Sequence, residues 1–587
     1  MNSPGKRLFF SILLVCCCRP VAAQFVLPQI HHYEMDGHNH EDLSDILRLF
    51  PGMYPQDLGT LGAPLYFLPW GLWPGQMRYT LDGLPLERRY DGLWDPGLLP
   101  VSEIDSIVFE SSPLSGLSPG AGGRINFATR ELPVDSPLSE IRLREGYYDY
   151  GTVDFAHGQP IYRKLTFQLT GRLGWYRGLR EQTGLRLTRI RGKLSFRPAK
   201  KWRLEALCFR TKSHCDSKLN ESGQTLTRTE GQFSFLPTDS MSASFRPSLR
   251  FFLREDGERW GEPWRARDVS GGALLCVSSR KFGHHFQGTG LARFSSMNFP
   301  PTRKLGSHDI EVGLTDSVGV ANTVGIELGG GLRFEKGWDT PAQRYGLRGY
   351  VPIAKTCVLF GGVQRLETFP SPLWMSSSYL LAERPLLLSP SLSNLGDSLV
   401  ACPKEKQRSS QMESGVSADL GGAKLRIAAL RIATENGFVP WTTASSQQSP
   451  TDSRWGGAFD GRIPLYEGLS FETRWSFLWI SKSDLQPSDD VRGFSRLYFD
   501  RTFFKAPLHI RTSLSHTYIG KHVSFSHQGA KTLQPVHLVG LRISAQIGNF
   551  RIFWGTENIG ARHYEYVPGF LMIRKEEYWG FDWIFWY

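Results

Sequence analysis

The chain has 587 residues, with 68 Lys and Arg against 56 Asp and Glu, a net charge of +12, and 13% aromatic residues. Mean hydropathy is −0.28, and no run after the first two dozen residues approaches the roughly 18 apolar residues that a membrane-spanning helix needs, which excludes a helical membrane protein. If the mature chain spans a membrane it does so as a closed barrel, because an open sheet edge has no hydrogen-bond partners in lipid. The cations are scattered through the chain. That argues against nucleic acid and assigns them to pore-facing and loop positions, where they can attract anions or anionic lipid.

Residues 1–23 combine Lys6 and Arg7, an apolar stretch over 8–18 and Val21-Ala22-Ala23, the pattern of a secretory signal peptide cleaved after Ala23. Five cysteines then remain, Cys208, Cys215, Cys276, Cys357 and Cys402. An odd number without Cys-x-x-Cys spacing argues against a metal cluster or a disulfide scaffold, although Cys208 and Cys215 are close enough in sequence to bridge. Residues 24–40 form a polar lead with His31, His32, His38 and His40 among acids. Imidazoles and carboxylates at this density are candidate metal ligands, while the simpler expectation is a mobile solvated tail.

A helix follows, with Leu43, Ile46, Leu47 and Phe50 at helical spacing, Glu41 and Asp42 at its start and Pro51-Gly52 at its end. Residues 51–78 have loop composition and include Trp70 and Trp73. Three short apolar runs, 79–86, 99–109 and 120–130, are joined by turns at Asp82-Gly83 and at Gly120, Gly122 and Gly123, with Asn126 in the third run. Such runs predict a small strand-rich unit. Gly116-Leu-Ser-Pro-Gly120 formally matches the Gly-x-Ser-x-Gly of hydrolases, but Pro119 has no N–H for an oxyanion hole and the segment leads into a strand, so no catalytic residues and no cofactor are expected.

From residue 138 onward the period is two. Leu165, Phe167, Leu169, Leu173 and Trp175 alternate with Thr166, Gln168, Thr170 and Arg172, and the pattern recurs from Leu469 to Trp479. One greasy face and one polar face are expected of a transmembrane barrel. At roughly 20 residues per strand and connection, the region predicts about 22 strands, a size that needs a plug. The chain ends on Trp579, Phe581, Trp583, Phe585 and Tyr587, all on one face. In lipid this stripe is stabilising, whereas on a soluble protein it is an aggregation hazard.

The order of these segments resembles the TonB-dependent outer-membrane receptors. The similar parts are the helix closed by Pro51-Gly52, the Asp82-Gly-Leu-Pro85 turn, the 99–109 segment and Gly-x-Gly-Gly-x-Ile-Asn-x-x-Thr over 120–129. Weaker echoes lie at 369–374, 402–416 and 557–569. Two departures stand out. The family's Arg-Gly before the Asp-Gly strand is replaced around Pro69-Trp-Gly-Leu72, and between 24 and 40 only Phe25-Val-Leu27 is a candidate for the energy-coupling box.

The resemblance implies an all-β transmembrane barrel of about 22 antiparallel strands with a small N-terminal α+β plug in its lumen: leader 1–23, lead 24–40, plug 41–135, barrel 136–587. It implies an outer-membrane receptor and transporter, not an enzyme, that binds a scarce large solute such as a siderophore or cobalamin and is energised through the TonB complex. The alternative is a diverged, non-energised binding or channel protein. Glu87, Arg88, Arg89 and Tyr90, with Trp70 and Trp73 nearby, occupy the place where such plugs present apical loops to a small-molecule or metal-chelate ligand, two guanidiniums and a phenol suiting an anion. Phe585 and Tyr587 would be read by the barrel assembly machinery. Outer-membrane lipid is the other expected partner.

Overall fold

The computed structural model describes residues 28–586 except 39, 60, 62–64, 73, 89–91, 112, 113, 115, 118, 133–135, 179–183, 218, 219, 239, 240, 242–244, 261–263, 282, 300–302, 321–323, 355, 370–405, 436–451, 481–487, 505–507, 527, 528 and 574. The expected leader, Phe25 to Leu27, Trp73, Arg89, Tyr90, Cys402 and Tyr587 therefore lie outside the described residues.

The N-terminal unit is built on a five-stranded sheet. Its elements are β1 (Gln29–His31), α1 (His32–Met35), α2 (Leu43–Leu47), β2 (Met53–Gln56), β3 (Tyr66–Pro69), β4 (Met77–Leu81), β5 (Leu84–Pro85), β6 (Ile104–Glu110) and β7 (Gly123–Thr129). The sheet order is β1-β6-β7-β4-β5, with β4 and β7 parallel, and β2 and β3 pair separately. Asp82 and Gly83 both take positive φ to make the tight β4–β5 turn, and the Asp82 carboxylate accepts hydrogen bonds from the backbone N–H and hydroxyl of Thr129 at 3.0 and 2.8 Å. One turn thus ties two strands of the sheet. Gly120 approaches the chain so closely that a Cβ there would meet the Gln76 carbonyl oxygen at 1.7 Å, which only glycine permits. Ile30, Leu43, Ile46, Leu47, Phe109 and Phe127 are among the side chains that fill the core.

The polar lead is not a solvated tail where it is described. Gln29–His31 pairs with β6 as an edge strand of the sheet, and Ile30 and Met35 are buried in the core. Apolar side chains at 30 and 35 carry this segment into the unit despite its polar average, so from Pro28 on it belongs to the plug.

The remainder is a closed barrel of 22 antiparallel strands, from Leu138–Gly146 to Glu576–Trp586, and these two strands pair to close it. Leu173, Trp175, Trp479, Trp579 and Trp583 face outward and are exposed, while Gln168, Arg172, Glu472 and Ser476 on the alternate positions are buried inside. Period-two patterning is what separates the two faces. Phe585 is half-buried on the last strand. Among the described residues no helix is long and apolar enough to cross a membrane. Cys208 and Cys215 share the strand Trp202–Ser217 and are not bridged.

Connections differ between the two barrel ends. At one end they are turns such as 163–164, 200–201 and 421–422; at the other they include 369–406, 436–451, 520–535 and 558–575. Short turns at one end and long loops at the other are the pattern of transmembrane barrels.

Candidate functional site

Plug carbonyls facing the wall need donors, since buried and unpaired they would cost about 1–3 kcal/mol each, and arginines on the inner wall supply several of them. Arg254 donates to the Pro85 carbonyl at 2.7 Å, Arg228 to Leu86 at 2.8 Å, Arg344 to Gly116 and Leu117 at 2.9 and 3.1 Å, and Arg454 to Trp70 at 3.2 Å. Ion pairs add to these contacts: Glu103–Arg189 at 2.9 Å, Arg130–Glu140 at 2.8 Å, Glu34–Arg462 at 2.9 Å, and Asp36 to both Arg142 and Arg551 at 3.0 and 3.2 Å. The plug is thereby clamped from several sides.

Beside α2 the plug stands off from the wall and leaves a cavity of about 210 Å³ toward the long-loop end. Asp42 caps α2 by accepting the Ser44 N–H at 2.7 Å. Asp95 does the same for the turn Pro96–Leu98, accepting from Gly97 at 3.0 Å. Asp45 of the short helix, Glu41 before it and Arg48 after it face the same space, and Glu557, Glu576 and Tyr578 come from the wall. Arg48 is held by Asp57, and by Asp45 at 3.7 Å. Over the top lies the long-loop-end hairpin Glu565–Val567 and Phe570–Leu571. It is fixed by the Tyr54 hydroxyl donating to the Tyr566 carbonyl at 2.9 Å and by Arg48 and Arg492 stacked on the Tyr566 ring.

Burial dominates the titration of this site. It pushes the Asp42 carboxyl up to about 6, with Asp45 adding to the rise, and the Asp95 carboxyl up to about 7 against the Gly97 N–H, with Asp42 adding to it. Glu41 is raised well above the usual carboxylate range by burial and then by Glu576. His38 and His40 are held well below the ordinary imidazole value, again by burial first and then by Arg496 and Arg144 respectively, so both rings are neutral.

The residues expected to bind ligand are placed as follows. Trp70 is 3% exposed and lies against Gly52, Ala428 and Leu430, anchoring the plug to the wall. The Glu87 carboxylate accepts the Tyr79 N–H and lies 3.9 Å from Arg78. Arg88, 6% exposed, pairs with Glu258 of the wall at 3.4 Å and donates to the Tyr66 hydroxyl at 3.2 Å. Asn126 accepts from the Thr80 hydroxyl at 2.8 Å. The four histidines do not converge: His31 stacks on Tyr33, His32 sits 4.0 Å from Asp36, His38 packs on Phe494, and the His40 carbonyl accepts from Arg144. Among the described residues no group of three or more His, Cys, Asp or Glu has metal-holding geometry. Sequence reasoning noticed Glu41 and Asp42 as helix-start acids and among the acids of the histidine tract. Nothing in the pattern pointed to Asp95, Glu576 or Tyr578, which join them through the fold alone.

No family model and no curated protein matches the chain. Solved structures do. A single-substitution mutant of the ferric enterobactin receptor of Pseudomonas aeruginosa superposes with a TM-score of 0.77 at 13% identity, over 95% of this chain and 98% of that one. The siderophore receptor PirA of Acinetobacter baumannii gives 0.76 at 12%, over 95% and 98%. The copper transporter OprC gives 0.78 at 11%, over 96% and 100%. The chain has the plug-and-barrel fold of the TonB-dependent receptors. That fold accounts for nearly the whole length.

Proposed function

We propose that the chain is an outer-membrane receptor that binds a scarce solute at its extracellular face and passes it to the periplasm, energised through TonB. The observation that supports this most is a 22-strand barrel occupied by a clamped plug, with a cavity lying at the long-loop end beside α2. Such a wall would otherwise enclose an open pore. A ligand held there has no path through the lumen unless the plug is rearranged, which requires work from outside the barrel. Edge strand β1 is suited to transmit it, because its unpaired side can accept a partner strand through backbone hydrogen bonds, and residues 24–27 lead directly into it.

The test separates coupling from anchoring. Residues 28–40 carry Glu34 and Asp36, whose pairs hold the plug, so only 24–27 are deleted. Loss of uptake with surface binding intact is the expected outcome; uptake that survives both this deletion and loss of the proton gradient favours a passive channel. Deleting 41–135 is expected to raise single-channel conductance in planar bilayers, and an unchanged conductance would overturn the plug assignment.

A further inference from the structure

The charge of the cavity beside α2 is unbalanced. Of its lining cations, Arg172 pairs with Asp154, Arg492 with Asp489 and Arg496 with Glu472, at 2.5–2.7 Å, and Arg48 with Asp57. Among the described residues only Arg474 of these cations has no carboxylate within ion-pair distance. On the acidic side, Glu41, Asp42, Asp95 and Glu576 all line the cavity with no ion pair to any described cation. The unpaired balance is four carboxylates to one guanidinium. Two of the carboxylates converge: a Cβ on Gly97 would lie 3.3 Å from Asp95 Oδ1 and 3.4 Å from Asp42 Oδ2.

A second observation is independent of this charge. His38, 5% exposed, lines the same cavity, and its Nε2 has no hydrogen-bond partner among the described residues. A polar group removed from water with nothing to bond costs about 1–3 kcal/mol. Such a cost in a cavity is the mark of a group waiting for a partner.

We infer that this cavity binds the ammonium-bearing part of an organic solute, with Glu41, Asp42, Asp95 and Glu576 as its counter-charges and His38 as a hydrogen-bonding partner. An organic cation fits better than a bare metal ion, because the described acids do not group with metal-holding geometry and hydrogen-bond donors and acceptors at several points suit an extended amine. The volume of about 210 Å³ is below the roughly 300–1,000 Å³ of sites that enclose a drug-sized ligand, so the cavity takes one end of a larger solute or the whole of a small polyamine. Aromatic rings of Tyr150 and Tyr564 on the lining add faces attractive to a cation. Burial raises the Asp42 carboxyl to about 6, the Asp95 carboxyl to about 7 and the Glu41 carboxyl well above the usual carboxylate range, so in a buffer at pH 6 a share of these groups carries protons. An entering ammonium replaces those protons, and binding releases them to solvent.

This inference rests on the receptor reading above and names the ligand chemistry of its site. It is tested on the full-length protein in detergent by isothermal titration with spermidine, with citrate and manganese(II) chloride as comparison probes, in two buffers at pH 6 of different ionisation enthalpy. Saturable spermidine binding is expected, with an enthalpy that depends on the buffer through proton release, and at least a tenfold loss of affinity in Glu41→Gln/Glu576→Gln. Asp95→Asn, which retains an oxygen for the Gly97 N–H, gives a second variant should the first fail to show heat-modifiable migration. Control changes at two exposed acids, Asp149→Asn and Glu467→Gln, should leave affinity unchanged. Unsaturable spermidine binding, equal affinity in the cavity variants, or tighter binding of citrate or manganese each overturns the inference. The uptake assay of the 24–27 deletion does not depend on any of these titrations, so the two readings fail separately.

Discussion

Two sides of the same plug meet the barrel in opposite ways. Across the strands that carry Arg228, Arg254, Arg344 and Arg454, guanidiniums are used up on plug carbonyls and the interface is closed. Beside α2 the plug offers carboxylates to a wall that does not answer them, and a cavity remains. The same chemistry, buried charge, is therefore spent on holding in one region and left unspent in the other.

The sharpest way to break this division is to weaken the clamp and ask whether the cavity notices. Asp36 is shared by Arg142 and Arg551, both of which also hold Asp582 of the last strand. Asp36→Ala leaves two guanidiniums on one carboxylate, and removing one member of a buried ionic group costs about 3–5 kcal/mol. The plug is expected to leave the lumen transiently, read as bursts of conductance and sensitivity to vancomycin; a silent channel would locate the anchoring elsewhere. Arg88→Ala removes its wall contact with Glu258 and its hydrogen bond to the plug's own Tyr66 hydroxyl, a loss of about 1.5–3 kcal/mol for a hydrogen bond to a charged group. It should raise the same leak less, and leave spermidine affinity unchanged. A fall in that affinity would mean that the clamp and the cavity are one system.

The architecture was legible in the sequence because a barrel writes itself in period two and a plug in turn residues. Gln168 and Arg172 against Leu173 and Trp175 showed the inner and outer faces directly, and Asp82-Gly83 marked a real hairpin. The lead was misjudged because average polarity hides Ile30 and Met35, two residues that suffice to bury it. The apical loop was harder. Arg88 and Trp70 carry the composition of a binding site, yet their surroundings in the fold are Glu258 in one case and Gly52 and Ala428 in the other, contacts some 170 and 358 residues distant for the barrel partners and invisible to any local pattern. The acidic cavity depends on Glu41, Asp95 and Glu576 meeting across three elements, and no spacing rule reaches that far.

The smallest expected effect sharpens the comparison at its acidic end. Asp95 has its pKa raised to about 7 in the folded protein, by burial first, whereas an exposed Asp titrates near 3.9. Below about pH 4 the carboxyl is neutral in both folded and unfolded chains, and its contribution to stability is intact. As pH rises from there toward 7 the unfolded chain releases the proton and the folded one does not, so stability is lost across this window and the loss levels off above the folded value. Each pH unit within it is worth at most about 1.4 kcal/mol. Asp95→Asn keeps the acceptor for Gly97 and removes the titration, so between pH 5 and pH 6 its thermal midpoint in detergent should fall less than that of the parent. Had Asp95 been answered by a wall cation, its pKa would lie low and the slope would carry the opposite sign; an unchanged slope in the variant would place Asp95 among the paired charges of the clamp.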